Sequence, residues 1–144
     1  MNNHCQFCKI EDFEHQIIYQ NQYFHIIHPR SPLTKGHVMI VTKRHIGTFL
    51  DLTELEVKDF FVILKKISES LKKAYKFDGV NLFTNIGKAA GQIIPHLHFH
   101  LILRFKDERE NPFDKLNHSK SRTTYKRLTK KEIISKVEEI KKNL

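Results

Sequence analysis

Hydrophobic and polar positions follow two different periods, and the period switches several times along the chain. Residues 96–104, "HLHFHLILR", open in strict alternation: histidine at 96, 98 and 100, apolar residues at 97, 99 and 101. Period two is the mark of a strand with two unlike faces. β-branched and aromatic residues cluster in "HQIIYQNQYFHIIH" (15–28), which predicts two short strands around a polar "QNQ" turn. "HVMIVTK" (37–43) and "GVNLFTNI" (79–86) predict two more. At 53–76 the period becomes helical: Phe60, Leu64, Ile67, Leu71 and Tyr75 form one stripe, with lysines opposite. Thr53 and Glu56 make a capping-box pattern at its start, and Thr129 with Glu132 opens a second helix at 130–142. Prolines and glycines mark loops at 29–36 and 87–92, and Asn111-Pro112 marks a turn. Several strands, one long helix and a C-terminal helix, without regular βαβ alternation, predict an α+β fold with a mainly antiparallel sheet. The chain's 144 residues suit one domain. Its core is expected over 1–104, with 105–144 as a basic extension packing on the same domain.

The histidine row carries the chemistry. Side chains of His96, His98 and His100 are expected on one strand face, each roughly 6.5–7 Å from the last. Leu97, Phe99 and Leu101 then point into a core. A neutral imidazole offers one lone pair and one N–H donor, and titrates near neutrality. Such a row can attack phosphorus, donate to phosphate oxygens and move protons. A three-histidine metal cluster is the competing reading, but successive residues on one flat face do not converge easily on a small ion.

Composition narrows the partners. The net charge of +9 favours anionic ligands such as nucleotides, although a lysine-rich solvated surface accounts for it equally well. Nucleic acid is not the expected partner. No apolar run reaches the roughly 18 residues of a membrane span. "MNNHCQFCKI" lacks an apolar signal-peptide core. A cytoplasmic location is therefore expected, where Cys5 and Cys8 would be thiols or metal ligands in preference to a disulfide.

"NIGKAAGQIIPHLHFHLIL" (85–103) resembles the signature of the histidine triad nucleotide hydrolases and transferases: Asn-x-Gly-x-x-Ala-Gly-Gln, a spacer, then histidines alternating with apolar residues. "KGHVMIVTKRHIGTFLDLTELE" (35–56) resembles that family's second landmark, and "CQFCKI" the amino terminus of its zinc-containing bacterial members. The resemblance implies a five-stranded histidine-triad fold, a purine nucleotide substrate and a homodimer. It implies hydrolysis at the α-phosphorus of adenosine phosphoramidates or dinucleoside polyphosphates. His98 would be the nucleophile of a covalent nucleotidyl-histidine. His100 would bond the phosphate or bridging atom, and His37 would be the additional catalytic histidine. Asn85, Gly91, Gln92 and Ile93 would line the phosphate. The same resemblance implies a structural zinc on Cys5, Cys8, His45 and His96, against free thiols as the alternative.

Three positions depart from the family pattern. Ile93 replaces a common Ser or Thr, and Leu103 follows the triad where a small residue or "IP" is usual. Pro29 stands where the ribose-binding side chain is expected, which leaves His28 or a shifted loop as the candidate ribose contact. The basic segment "KSRTTYKRLTKK" (120–131) is a solvated surface or a phosphate-binding arm. A catalytically weak nucleotide-binding regulatory protein is the second functional reading.

Overall fold

The computed structural model describes residues 5–108, 111–112 and 126–144. Five strands form one sheet: β1 (Ile17–Gln20), β2 (Phe24–Ile27), β3 (Val38–Thr42), β4 (Gly79–Phe83) and β5 (His98–Arg104). Their order is β1-β2-β3-β5-β4, and every neighbouring pair is antiparallel. β5 therefore lies inside the sheet, between β3 and the edge strand β4. The expected α+β architecture is present. β5 begins two residues later than expected: His96 lies in a bend ahead of the strand.

Asn21 shapes the first hairpin. Its Oδ1 accepts from the backbone N–H of Tyr23 and Phe24, both at 2.9 Å. A short polar side chain thereby satisfies donors that the turn leaves open. Helix α1 (Glu54–Tyr75) opens with the expected capping box: Glu56 N–H donates to Thr53 Oγ1, and Thr53 N–H donates to Glu56 Oε2. The cap also ties into the sheet. Arg44, just beyond β3, donates to both carboxylate oxygens of Glu56, at 3.2 and 2.7 Å. Arg44 and the Thr53 donors together lower the Glu56 pKa to about 2.

Phe60, Ile63, Ile67, Leu71 and Tyr75 of α1 are buried on one sheet face with Phe24, Ile26, Val38, Ile40, Leu101 and Leu103. Helix α2 (Lys130–Lys141) joins the same core through Ile133, Val137 and Ile140. Ser70 Oγ of α1 donates to the Ile140 carbonyl. Residues 120–125, the first half of the basic stretch 120–131, lie outside the described residues. Not every apolar residue of α1 is inward. Phe61 is 62% exposed and Val62 68%, off the buried stripe.

The other face of the sheet is covered by the N-terminal segment. Cys5, Phe7 and Phe13 bury there against Ile27, Met39 and Val41. This cover encloses the histidines.

Candidate active and metal site

The site is built at the start of β5, where three histidines have their tautomers set by backbone groups. His98 lies 2.7 Å from the carbonyl of His96 through Nδ1. A carbonyl only accepts, so Nδ1 carries the proton and Nε2 keeps the lone pair. His96 lies 2.7 Å from the Thr42 carbonyl through Nε2, so its lone pair is on Nδ1. Leu33 N–H donates to His37 Nδ1 at 3.0 Å. His37 must then carry its proton on Nε2, and it donates to His100 Nδ1 at 3.1 Å. His100 is left with an Nε2–H donor. A chain of two hydrogen bonds, begun at one backbone amide, thus decides what His100 presents.

Burial keeps these rings neutral. Desolvation is the first cause of lowered pKa at His37, His98 and His100, and it moves His100 to about 4. His37 is held well below the usual histidine range, with His100 and then His28 adding repulsion. At His98 the bond to the His96 carbonyl opposes the burial effect. Neutral rings are what the tautomer chain requires. The rings also pack on one another and on phenylalanines. Phe83, the β4 register partner of His100, stacks on it at 4.8 Å and 16°. His98 meets His100 at 5.1 Å and Phe7 at 5.3 Å. Thr84 donates to the His98 carbonyl at 2.6 Å, fixing β5 where β4 ends.

The glycine loop stands before the histidines. Gly87 and Gly91 both have φ of +79°, a conformation that side chains rarely adopt. Gln92 closes the loop on itself: Gly87 N–H donates to Gln92 Oε1 at 2.8 Å, and Gln92 N–H donates to the Gly87 carbonyl. Gln92 Nε2 donates to the Gly47 carbonyl at 2.9 Å, which docks the loop on the turn after β3. The Gln92 side chain is thus a brace in this arrangement. Asn85 faces the loop, its Nδ2 being 3.9 Å from where a Cβ on Gly91 would stand. Ile93 is 67% exposed and packs against nothing that would explain it as a core residue. His28 does not join the group. It is 1% exposed, its Nδ1–H is bonded to the Pro29 carbonyl, and Lys136 and Glu139 of α2 are among its charged surroundings. A ribose contact through that nitrogen is not available here.

Cys5, Cys8, His45 and His96 come together although they are far apart in sequence. Their ligand atoms all lie within 4.8 Å of one another. Cys5 Sγ to His96 Nδ1 and Cys8 Sγ to His45 Nδ1 are each 3.3 Å, and Cys8 Sγ to His96 Nδ1 is 3.7 Å. The two Nδ1 atoms are 3.3 Å apart. A tetrahedral ion with metal–sulfur bonds of about 2.3 Å and metal–nitrogen bonds of about 2.0–2.1 Å gives edges of about 3.3–3.8 Å. Because Thr42 fixes the His96 tautomer, the His96 lone pair points into this cluster. Donor set and spacing therefore fit one metal ion. His96 consequently belongs to the candidate metal cluster by its ring and holds His98 by its carbonyl.

Phe7, Phe83, Thr42, Thr84 and the Leu33 N–H all serve the site and were not foreseen from sequence. Phe7 had a signal, standing between two spaced cysteines. Phe83 had one too, two residues before Asn85. The backbone partners had none.

The sequence pattern of the HIT domain family matches residues 11–107. The chain belongs to the HIT domain family. An uncharacterized HIT-like protein of Saccharolobus solfataricus is 33% identical over 138 residues, covering 94% of this HIT chain and 99% of its own. The bis(5'-adenosyl)-triphosphatase of Saccharomyces cerevisiae is 37% identical over 106 residues, 72% of this chain. The match spans about half of that enzyme, 52%. Among solved structures, a hypothetical histidine triad nucleotide-binding protein of Sulfolobus tokodaii superposes with a TM-score of 0.79 at 30% identity. That alignment covers 96% of this HIT chain and 91% of the other. Among the described residues, no helix is long and apolar enough to cross a membrane.

Proposed function

We propose that this HIT protein hydrolyses purine nucleotides at the α-phosphorus, acting on adenosine phosphoramidates or dinucleoside polyphosphates. The observation that carries the reading is the held ring of His98: Nδ1–H bonded to the His96 carbonyl, Nε2 lone pair left for attack. In the first step the His98 Nε2–phosphorus bond forms and the bond from phosphorus to the bridging atom breaks. The leaving group keeps the bonding pair and is hydrogen-bonded by His100 Nε2–H; a polyphosphate leaves as its anion, and a phosphoramidate nitrogen leaves as an amine after taking a proton from solvent. Water then attacks phosphorus and gives up a proton to solvent, the nitrogen–phosphorus bond breaks with its electron pair returning to His98 Nε2, and a nucleoside monophosphate leaves. Asn85 and the Gly91–Ile93 backbone hold the phosphate, with Gln92 bracing the loop. His37 acts through His100 by fixing its tautomer. The yeast triphosphatase relative supports the dinucleoside arm of this reading.

The test is turnover of adenosine phosphoramidate and diadenosine tetraphosphate, with intact-mass detection of a nucleotidyl adduct on rapid quenching. Turnover of either, with an adduct absent from His98→Ala, supports the mechanism. No turnover of both favours the nucleotide-binding regulatory reading.

Two further features belong to this proposal. Cys5, Cys8, His45 and His96 hold a structural zinc, as the donor set and spacing favour. The protein is a homodimer joined through α1 and the β4 edge, where Phe61, Val62, Val80 and Leu82 expose apolar surface. Sedimentation of wild type against Phe61→Lys tests the dimer.

A further inference from the structure

Phe7 sits between Cys5 and Cys8 in a turn closed by Cys8 N–H donating to the Cys5 carbonyl at 3.0 Å. Its ring is buried. It meets His96 edge-on, 5.7 Å between centroids at 80°, and His98 at 5.3 Å and 60°. One side chain therefore touches a member of the metal cluster and the proposed nucleophile. His98 itself is fixed in direction by one hydrogen bond from Nδ1. A ring tied at one atom can still swing about that bond. Phe7 and the His100 ring flank it and restrict that swing.

Phe7 is held both by its neighbours in the chain and by the apolar residues it packs on. Cys5 and Cys8 lie on either side; the Cys5 thiol meets His96, and the Cys8 thiol meets His45 and His96. Beyond them Phe7 has the edge of Phe13 at 6.2 Å and the apolar residues of the sheet. We propose that Phe7 is a positioning residue, which holds the His98 ring in its attacking orientation and transmits the state of the metal cluster to it. The inference rests on the reading of His98 as nucleophile. It assigns the cluster a second task besides pinning the amino terminus: when both cysteines are tied, Phe7 is seated on His98, and when they are released, it is not.

The experiment uses the full chain as wild type, Phe7→Ala and Phe7→Leu, each before and after metal removal with a chelator. Three quantities are read: metal per chain, exchange of the His98 Nδ1–H with water by nitrogen-resolved NMR, and kcat and KM separately. In Phe7→Ala the metal content stays as in wild type, the His98 Nδ1–H exchanges faster, and kcat falls by about 10–100-fold, the scale of a displaced reacting group. KM changes little. Phe7→Leu, which keeps apolar bulk without the flat ring, falls between. Chelation of wild type speeds the same exchange, whereas chelation of Phe7→Ala adds nothing further. An unaltered His98 N–H in Phe7→Ala overturns the proposal. So does an equal response to chelation with and without the ring, or an effect confined to KM, which makes Phe7 a substrate contact only. If neither nucleotide is turned over by wild type, the hydrolase reading fails while the exchange measurement still decides the placement of His98.

Discussion

Phe24, Ile26, Val38, Ile40, Leu101 and Leu103 fill the helix-covered face of the sheet, while Ile27, Met39, Val41, His98 and His100 alternate with them on the opposite face. The same strands therefore build two unlike interiors. The helix face is held by apolar burial, which is non-directional and tolerant of exchange. The histidine face contains polar rings that cost stability unless each finds a partner. Its partners are backbone groups with fixed directions: Thr42, His96 and Leu33. The lesson is that a buried polar face can be as ordered as an apolar one, but it is ordered by geometry supplied from distant segments.

The largest separation of the two faces should come from His98→Ala. Turnover should fall by more than roughly 100-fold, since an attacking group is removed and not only acid–base help. Nucleotide affinity should stay close to wild type, as measured by calorimetry. An alanine enzyme that keeps more than about a hundredth of the rate would break the covalent role.

On the other face, Ile67→Ala should cost about 2–5 kcal/mol of stability, the range for truncating a buried aliphatic residue. Activity per folded molecule should hold, as urea titration and turnover together would show. A large loss of activity in the folded variant would mean that the two faces are not independent.

Metal removal acts on the histidine face alone. A Cys5→Ser variant should lose bound zinc and melt at lower temperature, because closed thiolate sites couple binding to folding. Elemental analysis that finds the same zinc in Cys5→Ser as in wild type would remove the site.

Acid should weaken the histidine face next. His100 titrates near 6.5 in its ordinary state and at about 4 when folded, because burial and then His98 disfavour its charge. Between those values the unfolded chain binds the extra proton, so stability falls as pH drops from about 6.5 to about 4. Above 6.5 this contribution is fully present, and below about 4 the decline stops. Each pH unit in the window corresponds to about 1.4 kcal/mol at most. The slope of stability against pH should be shallower in His100→Gln, and an unchanged slope would refute the assignment.

The smallest effect concerns Ile93. With 67% of it exposed, the side chain has no packing duty that serine would abandon. Ile93→Ser should raise kcat/KM several-fold, since one hydrogen bond to a charged group is worth about 1.5–3 kcal/mol at best. A folded serine variant with lower activity would show that the isoleucine serves the loop in another way.

The helix face was legible because burial repeats with a period. Phe60, Ile67, Leu71 and Tyr75 could be read directly, and the capping boxes marked both helix starts. Phe61 could not be placed by period, because an exposed phenylalanine beside a buried one reads the same in sequence. The histidine face was legible only in its spacing and in its resemblance to a known signature. That His98 and His100 share a face follows from alternation. That His96 turns its lone pair to the cysteines does not, since it depends on the Thr42 carbonyl. Phe7 stayed hidden because its contacts join residues about ninety positions apart, a separation no local pattern records.

That separation also has a dimension in time. Cys5 and His96 stand 91 residues apart. At a synthesis rate of about 5–20 residues per second, roughly 5–20 s pass between the two residues being made. His45 is made part-way through that interval, and His96 completes the four ligands only at its end. The four ligand residues can therefore meet only late in synthesis, after His96 has been added.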